Sequence, residues 1–131
     1  MTESLVIRQD TGNDPSKVPL EMNDILKIRG VDGIFLIGNN GAVMSADGWL
    51  EPDTDGLSAC SLRLIFESGM IADRVRDGPL IQIFLEFKDR ILIIEEADHD
   101  RLIAVIASPD ANIGQISYHM NKRRQKPVPA L

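Results

Sequence analysis

Apolar and polar residues recur with several different periods along the 131-residue chain, and each change of period marks an element. Residues 1–17 are mostly polar, broken by Gly12 and Pro15, with only Leu5, Val6 and Ile7 apolar. They read as a loose arm with room for one short strand. From Val18 to Arg29 the apolar positions Val18, Met22, Ile25, Leu26 and Ile28 fall at helical spacing; Pro19 suits a first turn and Gly30 ends the run. Val31–Ile37 and Ala42–Ser45 are β-type runs joined by Gly38-Asn39-Asn40-Gly41, residue types that accept the positive φ of a tight hairpin. Pro52-Asp53-Thr54-Asp55 then opens a second helix, with acids at the positive end of its dipole. This helix extends from about Asp53 to Arg76 and stops at Asp77-Gly78-Pro79.

Three strands follow. Leu80–Phe87 alternates, with Ile81, Ile83, Leu85 and Phe87 on one side and Gln82, Phe84 and Glu86 on the other. Ile91–Ile94 and Leu102–Ala107 are apolar throughout, the pattern of interior strands covered on both faces. Lys88-Asp89-Arg90 and Asp98-His99-Asp100 are the turns between them. After Ser108-Pro109-Asp110, Asn112 caps a third helix from Ile113 to about Arg124, and Pro127 and Pro129 exclude further helix. The order α-β-β-α-β-β-β-α with hairpin-length links predicts an α/β domain. It has one five-stranded, mainly antiparallel sheet with helices on both faces. Residues 18–124 form the domain, flanked by the arm at 1–17 and a tail at 125–131.

The second helix carries the most unusual pattern. Leu57, Cys60, Ser61, Leu64, Ser68, Ile71 and Val75 fall on one stripe, which should face the sheet. Ala59, Leu62, Phe66 and Met70 fall nearly opposite, where a helix packed only on its own sheet should be polar. Either another helix of the chain covers this ridge, or a second subunit or partner does. Met and Phe are residues that interfaces use. The alternating strand adds Ile81, Ile83 and Phe84, and it contains neither the lysine nor the proline that commonly protects a sheet edge.

Charge narrows the partners. The net charge is −6, and the last ten residues carry four cations (Lys122, Arg123, Arg124, Lys126) and no acid, which leaves −10 on the rest. An acidic body disfavours nucleic acid. The basic end complements a helix C-terminus and offers a docking patch for an acidic partner or anionic lipid. The single cysteine excludes an internal disulfide and fits a reducing compartment. No apolar run reaches the ~18 residues of a membrane span. A cytoplasmic, non-transmembrane protein is expected.

Candidate chemistry is sparse. Glu95, Glu96, Asp98, His99 and Asp100 form an acid-rich cluster with a histidine, but adjacent strand residues point to opposite faces, and solvation of a turn explains them better than a metal. Cys60 has no neighbouring general base and sits on the sheet-facing stripe, as an inert core residue would. His119 has no partner near it in sequence. The Gly38–Gly41 turn lacks Gly-Lys-Ser/Thr and precedes a strand, so it is no phosphate loop. No catalytic residue, cofactor or metal is expected.

The order of elements and several local motifs resemble the roadblock / dynein light-chain family. The matching residues are Gly30-Val31-Asp32-Gly33 running into Ile34-Phe35-Leu36-Ile37, the Asn40-Gly41 turn, and Gly78-Pro79-Leu80-Ile81-Gln82-Ile83. They end with Leu102-Ile103-Ala104-Val105-Ile106-Ala107 and Asp110-Ala111-Asn112-Ile113-Gly114 opening the last helix. The resemblance implies a homodimer in which the strand near Leu80 pairs with its own copy. It also implies work beside Ras-like small GTPases or motor complexes, as in bacterial regulators of the gliding and polarity GTPase. On that reading Arg63 and Arg74, which flank the ridge, are the residues to contact a GTPase. A scaffold subunit of a motor or membrane-tethered complex, with no effect on GTP turnover, is the alternative. A small-molecule sensor is the third, and the aliphatic interior strands offer it no convergent polar groups.

Overall fold

The computed structural model describes residues 20–48, 54–98 and 100–124. The expected arm at 1–17, the tail at 125–131 and His99 lie outside them. Five strands form a single sheet in the order β2-β1-β5-β4-β3, every neighbouring pair antiparallel. They are β1 (Val31–Gly38), β2 (Val43–Gly48), β3 (Ile83–Glu86), β4 (Ile91–Asp98) and β5 (Arg101–Ala107). The two long aliphatic runs explain the middle of that order. Burial of both faces of β5 and β4, and of β1 beside them, needs strands on each side and helices above and below.

Alternation sorts the core into two clusters. Ile34, Leu36, Ile91, Ile93, Ile103 and Val105 project to one face, where α1 (Leu20–Asn23), the 3₁₀ turn that follows it and α3 (Ile113–Arg124) cover them through Met22, Ile25, Ile116 and Met120. Phe35, Ile37, Leu92, Ile94, Ala104 and Ile106 project to the other, beneath α2 (Thr54–Val75). The three-layer arrangement is therefore as the apolar pattern predicts.

Element ends depart from expectation for local reasons. The first helix is one α-turn followed by a 3₁₀ turn at Asp24–Lys27. Its buried residues Met22, Ile25 and Ile28 are spaced by three, which matches the three-residue period of a 3₁₀ helix better than 3.6. β4 continues past Ile94 to Asp98 because Glu95 and Glu96 still pair with Ile103 and Leu102, and an Arg101–Asp98 ion pair (2.6 Å) closes the hairpin. β3 is shorter than the alternating run: Ile81 and Phe87 fall outside it, since an edge strand has a ladder on one side only. Within the turn of the first hairpin, residues 38–41, Gly41 alone takes positive φ (+85°), while Asn40 accepts the Ala42 amide through its side chain at 3.0 Å. Asn112 caps α3 as expected, its Oδ1 accepting the Gln115 amide at 3.1 Å.

The loop before α3 is clamped to the entry of β1. The Ser108 amide donates to the Gly30 carbonyl at 2.8 Å and the Asn112 amide to that of Arg29. The Ser108 hydroxyl bonds to the Asp110 carboxylate, which is the main reason that carboxyl sits below its ordinary range. Gly30 holds φ at +92°, and a Cβ there would lie 2.6 Å from the Ala111 Cα, a backbone atom that cannot swing aside. Replacing Gly30 with alanine should therefore cost about 2 kcal/mol or more in urea unfolding. A variant as stable as the parent would show that the clamp is not rigid.

Candidate functional site

α2 leaves β2 at one edge of the sheet and delivers the chain to β3 at the other. Its 22 residues span about 33 Å, whereas four interstrand spacings cover only about 19 Å. The residues it buries, Ser58, Ser61 and Ile65, all lie within its first twelve. The last ten extend past the core, and Phe66, Met70, Ile71 and Val75 are exposed on them.

The inward stripe differs from the sequence expectation. It centres on Ser58, Ser61 and Ile65, with Ser68 and Ala72 half-buried, a turn of roughly 60° from the expected one. Leu57, Ser61, Leu64 and Ser68 do face inward, but Cys60, Ile71 and Val75 are exposed. Cys60 is thus not a core residue, and the Arg63 guanidinium lies 3.8 Å from its sulfur. Leu62, expected on the outer ridge, is half-buried and packs on the core. The reason is close approach. The Ser58 hydroxyl donates to the Gly41 carbonyl, and a Cβ on Gly41 would lie 3.6 Å from the Ala59 Cα. The helix meets that hairpin through Ser58, which sets its phase: Ser61 and Ile65 follow inward, and Cys60, Ile71 and Val75 rotate outward.

The remaining expected residues divide across the sheet edge. Ala59, Phe66 and Met70 are exposed on α2, and Phe66 is 66% accessible. Helices α1 and α3 lie on the opposite face, so neither covers this ridge. Ile81 is exposed beside β3, while Ile83 packs inward beneath α2. Phe84 pairs with Ile93 and therefore belongs to the α1/α3 face, apart from Phe66. Between the end of α2 and the segment leading into β3 lies an open groove of about 460 Å³, lined by Ile71, Val75, Pro79, Leu80, Ile81 and Ile83. Ile71 and Val75 were not singled out for this surface by the sequence; only the true helical phase would have revealed them. Arg63 is exposed, and Arg74 already donates to the Met70 carbonyl at 3.0 Å. Among the described residues, no three acidic, histidine or cysteine side chains are grouped to hold a metal ion, and no helix is long and apolar enough to cross a membrane. Glu95, read from sequence as part of an exposed acidic cluster, is fully buried.

Among the described residues, β3 has no partner on its outer edge, and the apolar residues at the end of α2 lie uncovered beside it. Residues 20–107 match the model of the Roadblock/LC7 domain. The chain belongs to that family. A Roadblock/LC7 domain from Streptomyces avermitilis is 23% identical and superposes with a TM-score of 0.71, covering 82% of this chain and 91% of its own. The gliding protein MglB of Thermus thermophilus is 16% identical with a TM-score of 0.70, covering 80% and 81%. MglB of Myxococcus xanthus is 19% identical with a TM-score of 0.69, covering 76% and 82%. At these identities the likeness is one of fold. Among curated proteins, none matches the chain.

Seating a Roadblock/LC7 helix on serines leaves one polar atom unpaired: the Ser61 hydroxyl is buried without a hydrogen-bond partner. Ser61→Ala removes that desolvated group and improves helix propensity, so it should raise unfolding stability by about 1 kcal/mol. A loss of stability in denaturant titration would mean the hydroxyl has a partner in solution.

Proposed function

We propose that this Roadblock/LC7 domain is a cytoplasmic homodimer that binds a Ras-like small GTPase and modulates its nucleotide cycle. The observation that carries the reading is the apolar surface on both flanks of the end of α2: Phe66 and Met70 form one strip, and Ile71 and Val75 form another, which meets Ile81 in the groove beside an unpaired strand edge. Isolated exposed apolar residues are ordinary, but four large ones within ten residues of one helix are the mark of an interface.

Two copies joined through antiparallel β3 edges form one ten-stranded sheet. The twofold axis is then perpendicular to the sheet, so each face stays on its own side. Both α2 helices lie on one face, their second halves flanking the axis. Part of each strip is covered by the partner copy, and the ridge at Ala59, Phe66 and Met70, with Arg63 and Arg74 at its flanks, faces the GTPase. Since Arg74 is engaged with its own helix, the domain acts by biasing the GTPase switch loops rather than by inserting an arginine finger. Family membership and the MglB-like fold support this assignment.

The test mixes the full chain with the Ras-like GTPase encoded nearest its gene, loaded with GDP or a GTP analogue. Binding that depends on the nucleotide, together with a changed rate of GTP hydrolysis, is expected. Phe66→Asp should weaken that binding by about 30-fold or more, the loss of a central aromatic anchor. Binding without any change in hydrolysis would favour the scaffold role instead, and absence of both would overturn the proposal.

A further inference from the structure

We infer that the Gln82–Glu95 pair positions the free edge of β3 and so governs how tightly a second copy pairs there; this rests on the edge-paired dimer proposed above. Glu95 lies on β4 with no solvent exposure, on the same face as Ile91 and Ile93 and opposite Ile103 of β5. A buried carboxylate is tolerated only where donors satisfy it. The Gln82 side-chain amide is one of them, donating to Glu95 Oε2 at 2.7 Å.

Gln82 stands one residue ahead of β3. The ladder with β4 ends at the pair Ile83–Ile94, and Gln82 is next in register, opposite Glu95. Leu80, Ile83 and Leu85 grip the α2 face of the sheet. Gln82 grips the other face, so the segment is held from both sides just where its ladder gives out. Without that second grip, residues 80–83 are anchored on one side and free to twist away from β4. Twisting an edge out of plane is a standard way for sheets to avoid pairing. Glu95 on β4 thereby keeps a neighbouring strand flat for a partner.

The test measures the dimer dissociation constant by sedimentation equilibrium, and amide exchange residue by residue, for the full chain and three variants. Gln82→Glu keeps the shape but replaces the donor with a second carboxylate. It should raise the dissociation constant by about tenfold or more and speed exchange across residues 80–86, while β1 and β5 amides stay as in the parent. Adding Glu95→Gln reverses donor and acceptor, and the double variant should return to within about threefold of the parent. Glu95→Gln alone retains an acceptor and should pair nearly as well. A dissociation constant unchanged in Gln82→Glu would overturn the inference and leave the dimer standing. So would faster exchange throughout the sheet with no recovery in the double variant, which marks a merely structural role. A monomeric parent chain would instead overturn the edge-paired dimer itself.

Discussion

Three adjacent strands, β1, β5 and β4, are aliphatic on both faces, and that double burial constrains the rest of the molecule. Such strands are stable only inside a sheet with a helical layer on each side. Helices α1 and α3 are short and stay on one face, which leaves α2 as the only cover for the other among the described elements. Because the strands before and after α2 occupy opposite edges, the helix must cross the sheet, and it outlasts the core it covers. The apolar residues exposed between Phe66 and Val75 are a geometric consequence of that crossing, and they emerge beside β3, the edge strand with the shorter pairing.

Much of this was legible in the residues. Runs such as Leu102–Ala107 carry no polar position, so their two-sided burial could be read directly, and the Asn-Gly turn and the Asn112 cap have chemistry tied to their backbone conformations. The phase of α2 was not legible. An apolar stripe is the usual guide to a buried face, but here the closest contact is made by serines, and the bulky residues sit off to the side. A helix whose inward face begins on two serines and only then reaches Ile65 hides its phase from an apolar pattern. The same holds for Glu95: adjacent acids before a turn signal solvation, and only the register of β4 against Gln82 reveals that one of them is enclosed.

The surface left over is therefore specific in position and unspecific in chemistry. It has an apolar groove, a free ladder edge and few charges committed elsewhere, and it offers shape rather than reactive groups. On the proposed reading, a domain of this design regulates by holding other proteins, the first of them a second copy of itself paired about a twofold axis. The GTPase reading depends on that assembly, because pairing sets which part of the strip remains open.

The mass of the particle in solution tests this most directly. Multi-angle light scattering after gel filtration of the full chain at micromolar concentration should give twice the 14.5 kDa of one chain. A folded, monodisperse species at 14.5 kDa would contradict it.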